Sequence, residues 1–388
     1  MPLSRRAFVA SLGAGGAGVI ALPSLPGVSW RGRESLYAFQ GTEDRKADRR
    51  LAARPGMIRI DSNENPVGPG ERAIAAIQQA FSHANRYPVL EEDAFVAAIA
   101  KRQSVPVESI KLGCGSGELL RAAVHAFTSA EKPLVFPNPS FEAPADFAKF
   151  LGHQVRFVPV DRNLAIDLGA VVDASRGAGL VYFCNPNNPT ATVHGLPAVT
   201  QFVEQLGRVS PETTVLLDEA YFEYVDEPSY GTAIPLAMAN PRVIVMRTFS
   251  KVMGMAGLRV GYAIAQKETI ARLSSWIMGS NVSQLSLAAA TAAIGDSAHI
   301  TAEVRRNKAV RAYTRKFFAD AGFEMSMGQA NFMMVDIRRD AKAFKAECLR
   351  KGIAIGRAFP PLTTHSRITF GTMPEMQKAL QVFRTTLV

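Results

Sequence analysis

From Lys111 onward, short apolar runs alternate with longer stretches of helical periodicity, and this alternation narrows the fold more than any other feature. The runs Ile110–Leu112, Leu134–Phe136, Gln154–Pro159, Leu180–Cys184, Thr214–Asp218, Val243–Thr248 and Arg259–Ala265 are expected strands. Helical spacing fills Leu119–Phe127, Ala143–Leu151, Pro197–Gly207 and Lys267–Met278 between or after them. Strands that are apolar throughout must be covered on both faces, so the pattern predicts an α/β fold with a mostly parallel seven-stranded sheet flanked by helices. Past Asn281 the order changes. Long helices are expected over Leu285–Ile294 and Ala302–Ala321, then a strand near Asn331–Ile337, a helix, and a strand near Arg367–Phe370. That order predicts a second, smaller α+β domain. A chain of 388 residues that is 47% hydrophobic has enough material for both cores.

The net charge of +10 would suggest an anionic partner, but its distribution argues otherwise. The first 56 residues hold nine Arg and Lys against four Asp and Glu, which is half of the excess. The remainder shows no basic cluster of the kind that neutralises phosphates in a row, so no nucleic-acid partner is expected. Cys114, Cys184 and Cys348 are far apart and lack C-x-x-C spacing, which indicates neither a metal site nor a disulfide framework. At the N-terminus, Ser4-Arg5-Arg6-Ala7-Phe8-Val9 precedes a Gly/Ala-rich apolar run through Ala21. This resembles a twin-arginine export signal, read by a receptor that passes folded proteins. Residues 1–29 are therefore expected to be a signal and 30–56 a polar linker, giving a periplasmic or exported protein whose only membrane contact is the signal. A cytoplasmic protein with a basic leader is the alternative. Beyond it, the expected division is 57–83 as an N-terminal segment of the small domain, 84–280 as the large domain and 281–388 as the small domain.

In an open parallel sheet, ligands gather at the carboxyl ends of the strands. There the unusual residues fall. Leu180–Cys184 is followed by Asn185-Pro186-Asn187-Asn188-Pro189-Thr190; Thr214–Leu217 by Asp218-Glu219-Ala220-Tyr221; Val243–Met246 runs on to Thr248-Phe249-Ser250-Lys251. Each has an ordinary reading as a turn, a helix cap or a solvated lysine. Lys251, however, is followed by no charge until Arg259, and an amine in apolar surroundings loses its proton readily enough to attack a carbonyl. If that carbonyl is the aldehyde of pyridoxal 5′-phosphate, Asp218 can keep the ring nitrogen protonated, while Asn188 and Tyr221 supply donors to the ring oxygen. Gly113-Cys114-Gly115-Ser116-Gly117-Glu118 ends a strand and opens a helix, so Gly115, Ser116 and Gly117 offer backbone N–H groups to a phosphate. Ser250 and Arg259 add a hydroxyl and a fixed charge.

The set N-E-N-P (Asn63–Pro66), Y-P (Tyr87-Pro88), GCGSGELL, PNPSFE, NPNNPT, DEAY, TFSK and GLRVGY resembles the class I/II pyridoxal-phosphate aminotransferases of fold type I, and most closely the histidinol-phosphate aminotransferase group. The resemblance covers Ile58 to the C-terminus. It implies that Lys251 forms the Schiff base with the cofactor, that Asp218 pairs with the pyridine nitrogen, and that Asn188 and Tyr221 hold the ring oxygen. It also implies that Phe141 stacks on the ring, where relatives often carry Tyr. Tyr87 would reach the phosphate of a neighbouring subunit's cofactor, which implies a homodimer with shared active sites. Arg367 resembles the clamp for a substrate carboxylate, and Arg357 resembles a second anion site. The reaction implied passes an amino group from a small amino donor to a 2-oxo acid acceptor. A decarboxylase or lyase on the same scaffold, or a cofactor-binding protein without turnover, are the alternatives.

Departures from the family pattern bear on the cofactor site and the pathway. Ala191 stands where a glycine is usual after N-P-T, and Gly117 lies where an Asp is usual in the phosphate turn. An export signal also sits badly with the cytoplasmic synthesis of histidine. A phosphorylated amine, an aromatic amino acid and a dicarboxylic one all remain open as substrates.

Overall fold

The structure is a computed structural model that describes residues 54–387. The expected signal and almost all of the expected linker lie outside the described residues. Strand β1 (Ile58–Ile60) opens the described chain, followed by β2 (Ile110–Cys114), β3 (Leu134–Asn138), β4 (Val155–Pro159), β5 (Leu180–Cys184), β6 (Thr214–Asp218), β7 (Val243–Thr248) and β8 (Val260–Ile264). Strands β2 to β8 form one sheet in the order β2-β8-β7-β6-β5-β3-β4, in which only β8 runs antiparallel to its neighbours. The mostly parallel seven-stranded sheet expected from the alternation is present.

The central strands show why continuous apolar runs are needed. Tyr182, Cys184, Leu216, Ile244 and Met246 point into one buried cluster, whereas Val181, Phe183, Val215, Leu217 and Val245 point into another on the opposite face. Because successive side chains alternate, a strand roofed by helices on both sides has no polar position to spare. Most element ends fall within a few residues of those expected. Strand β8 starts one residue late because Arg259 has a φ of +56°, which no strand residue adopts. The helix expected from Ala302 begins at Ser297, where the Asp296 side chain accepts from His299 N–H at 3.1 Å and caps it.

The smaller unit holds β9 (Phe332–Asp336), β10 (Ile353–Ile355) and β11 (His365–Thr369). Strand β11 pairs antiparallel with β9, and β10 pairs in parallel with β1, Ile58 lying opposite Ile353. Ile60, Met333, Val335, Ile355, Ile368 and Phe370 share its core. Core membership departs from a division at residues 83 and 281. Helix Glu71–Ala80 packs on helix Gln284–Ile294, and Ala73, Leu287 and Ala290 belong to the cluster under the large sheet. Both helices thus bury their apolar residues with the large unit, while β1, just before the first of them, belongs to the small one.

Candidate active site

A cavity of about 400 Å3 lies where the carboxyl ends of β5, β6 and β7 meet the small unit and the segment just after β1. Its size suits a cofactor-sized ligand and its place suits an open α/β sheet.

Strand β7 ends in a side-chain turn. The Thr248 hydroxyl accepts from Ser250 N–H at 3.1 Å and donates to Ser250 Oγ at 3.0 Å, which turns the chain so that Lys251 lines the cavity. The loop then passes Gly254, whose φ is +68° and whose ideal Cβ would lie 2.0 Å from the Gly68 carbonyl oxygen. Only glycine permits that backbone-to-backbone approach of the lysine loop to the N-terminal segment. Lys251 Nζ donates to Asn63 O at 3.1 Å and lies 5.5 Å from the centre of the Tyr221 ring. Burial, reinforced by the Arg367 charge, lowers its pKa to about 8 against the opposing pull of Glu64 and Asp218. The neutral, nucleophilic amine is therefore accessible near neutral pH.

Strand β6 ends in Asp218, 4% exposed. Its Oδ2 accepts from Tyr182 Oη at 2.9 Å and its Oδ1 from Ala220 N–H at 3.2 Å. Burial raises its pKa to about 6, and these hydrogen bonds limit the rise. Three residues on, Tyr221 is buried against Phe332, its Oη accepts from Asn63 Nδ2 at 3.1 Å, and burial pushes its pKa up. After β5, Asn187 donates to Pro139 O at 3.1 Å and Thr190 Oγ1 at 2.9 Å and accepts from Ser140 Oγ at 2.7 Å. These bonds pin the turn that sets Asn188 against the cavity. The same turn carries Ala191 at a φ of +60°, the left-handed region that the family's usual glycine would occupy without strain.

Ser116 and Gly117 meet the cavity at the first turn of helix Ser116–Phe127, where free N–H groups attract anions. Gly115 precedes them at a φ of +71°, and a Cβ there would lie 2.2 Å from Arg259 Nη2. The guanidinium thus closes over a bare backbone, with Ser250 Oγ 3.5 Å from Nη1. From the small unit, Arg367 is 8% exposed; Nη1 donates to Asn188 Oδ1 at 2.8 Å, Nη2 to Asp61 O, and Nε has no partner among the described residues. Burial lowers its pKa to about 10. Arg357 pairs with Glu142 and sits 4.0 Å from the Phe359 ring.

The cavity gathers Lys251, Asp218, Asn188, Tyr221, Phe141, Ser116, Gly117, Ser250, Arg259, Arg357 and Arg367, and Gly115 lies beside it. Tyr87 is not among them: it is 85% exposed and lies on the surface of its own chain. Sequence reasoning missed Asp61, Glu142, Tyr182 and Lys345, and gave Asn63 no part beyond its place in N-E-N-P. Tyr182 reads as one more buried strand residue, and only its hydroxyl at the β6 end distinguishes it. The residues fit a phosphorylated cofactor with a basic ring nitrogen: the cradle at Gly115–Gly117 presents donors and a cation, and the buried Asp218 carboxylate, with two neutral donors, is stabilised by any cation set beside it.

The chain is similar to known proteins over most of its length. A histidinol-phosphate aminotransferase of Moorella thermoacetica is 34% identical over 335 residues, spanning 85% of this chain and 86% of its own. One from Bacillus velezensis is 34% identical over 340 residues, spanning 85% and 92%. The crystal structure of the Sinorhizobium meliloti histidinol-phosphate aminotransferase, in complex with pyridoxal 5′-phosphate, superposes with a TM-score of 0.82 at 25% identity, covering 92% of this chain and 99% of that one. The profile of the aminotransferase class I and II family matches residues 55–383, and the chain belongs to that family.

Proposed function

We propose that Lys251 is the nucleophile and proton carrier of this pyridoxal-phosphate-dependent aminotransferase, which moves an amino group from an amino donor to a 2-oxo acid. The observation that carries the assignment is a lysine with its pKa lowered to about 8 in one cavity with a buried carboxylate and an anion cradle. When bound, pyridoxal phosphate supplies the aldehyde that Lys251 attacks and a ring that withdraws electrons from the substrate's Cα. Asp218 keeps the ring nitrogen protonated. Gly115, Ser116, Gly117, Ser250 and Arg259 hold the phosphate, Asn188 and Tyr221 donate to the ring oxygen, and Phe141 covers one ring face. Lys251 Nζ, with its lowered pKa, would accept the proton of the substrate's Cα and hand it on within the cavity, a transfer of the kind that contributes about 10²–10⁴-fold. Arg367, which lines the cavity, would orient an anionic group of the substrate through its guanidinium.

The relatives' named substrate bears an amine and a phosphate, and Arg357 and Lys345 near Arg367 offer further positive charge for such a group. Histidinol phosphate is therefore the first donor to try, beside glutamate and aromatic amino acids. The test is direct. Added pyridoxal phosphate should give the purified protein a visible absorption band, the band should bleach with a competent donor as a 2-oxo acid or ketone product appears, and Lys251→Ala should show neither. Wild-type protein that takes up no cofactor would end this assignment.

Assembly and location are part of the same proposal. Phe81, Tyr87, Val89 and Leu90 are all more than half exposed within ten residues of chain, an apolar surface that supports a homodimer with Tyr87 at the partner's phosphate. Arg5 and Arg6 before an apolar run support export by the twin-arginine route. Replacing both with Lys should leave full-length protein in the cytoplasm; an unchanged distribution between cytoplasm and periplasm would return the enzyme to a cytoplasmic role.

A further inference from the structure

Asn63 is 2% exposed, and its φ of +54° is one that residues other than glycine seldom hold. The strain coincides with an unusual concentration of hydrogen bonds. Its backbone oxygen accepts from Lys251 Nζ at 3.1 Å and from Asn331 Nδ2 at 3.1 Å. Its backbone N–H donates to Thr369 Oγ1 at 3.1 Å, and Thr369 Oγ1 donates to Asn63 Oδ1 at 2.8 Å. That reciprocal pair assigns the oxygen of the amide to Thr369 and leaves Nδ2 to donate to Tyr221 Oη at 3.1 Å. A phenol that already accepts a hydrogen bond in this way is held with its own proton available to a ligand in the cavity, which Tyr221 lines.

Thr369 lies two residues from Arg367 on β11, and Arg367 Nη2 donates to Asp61 O, two residues before Asn63. The segment 61–63 is thus tied at both ends to the strand that carries the substrate arginine, while its centre touches Lys251 and Tyr221. We propose that Asn63 is a positioning residue for the transamination: it orients the Tyr221 hydroxyl, seats the Lys251 amine, and couples both to the small-unit strand that carries Arg367. The inference rests on the roles assigned above to Lys251 and Tyr221.

Asn63→Asp keeps the volume and the tolerance for a left-handed φ but replaces the Nδ2 donor with an acceptor that claims the Tyr221 proton. Titration of the apoprotein with pyridoxal phosphate should then show about tenfold weaker uptake. The pH at which the bound cofactor's visible absorption titrates should rise by about one unit, because a lost donor and an added negative charge both favour the protonated form. Thr369→Val, which leaves Asn63 in place and removes its anchor, should move both readings the same way, by about threefold in uptake. Melting temperatures of the apoproteins are measured alongside. Lower melting with unchanged uptake and spectral midpoint would make Asn63 structural only and overturn the inference, with the cofactor reading intact. If Asn63→Asp does not fold, Thr369→Val decides by the same two readings. Wild-type protein that takes up no cofactor would overturn the underlying reading and this inference with it.

Discussion

The cavity has two walls made in different ways. On the large-unit wall, Asn188, Asp218 and Lys251 lie at or just past the ends of three adjacent parallel strands, so their neighbourhood is set by strand order. On the other wall, Asp61, Asn63, Arg357 and Arg367 come from opposite ends of the chain and from short two-stranded pairings, and they are held by hydrogen bonds such as Asn63–Thr369, 306 residues apart. The first wall has both faces of its sheet buried in apolar clusters. The second depends on a left-handed asparagine and a buried arginine. On the function proposed above, the chemistry would fall to the sheet edge and substrate recognition to a wall assembled from contacts that each contribute a few kcal/mol at most.

The largest expected effect outside the lysine itself is at the buried arginine. Arg367→Lys removes the planar fork that spans Asn188, Asp61 and the ligand, and kcat/KM should fall about thirtyfold, close to 2 kcal/mol, through KM more than kcat. If kcat falls alone, the two walls are less separable than drawn here. Next comes pH. Since the amine of Lys251 is neutral above about 8, the rate at which apoprotein captures pyridoxal phosphate should climb about tenfold per unit below that value and level off above it. A rate that keeps climbing to pH 10 would mean an ordinary exposed lysine. Smaller again is Arg357→Ala: its side chain is 29% exposed and its partner Glu142 34% exposed, so KM should change by about threefold or less. A loss as large as that from Arg367→Lys would make the pair a joint clamp. Least of all, Ala191→Gly relieves a left-handed alanine but removes a buried methyl, and should raise stability by about 1 kcal/mol or less, seen as higher thermal melting.

Legibility in the sequence follows the same division. The strands ending at Cys184, Asp218 and Thr248 announce themselves by continuous apolar runs, and Asn188, Asp218 itself and Lys251, at or within four residues of those ends, line the cavity. Nothing local marks Ile353–Ile355, three residues long, as a strand, because its partner Ile58–Ile60 lies at the far end of the chain. Asn63 is hidden for a similar reason. In the sequence it stands only as part of N-E-N-P, and the folded chain alone brings Tyr221, Lys251 and Thr369 to it. Helix Glu71–Ala80 misleads in another way: it follows a small-unit strand in sequence yet fills the large-unit core, since burial follows the nearest apolar surface and not chain order.

The pairing of β1 with β10 also sets a timetable for the protein's making. A nascent chain of about 300 residues could already present the sheet edge with Lys251 and Asp218, as domains form from the N-terminus during synthesis. The segment that seats the lysine waits, because Ile58 needs Ile353 and Asn63 needs Thr369 before either is fixed. The wall that carries Arg367 and seats Lys251 is therefore completed only after Ile353–Ile355 and Thr369 have left the ribosome.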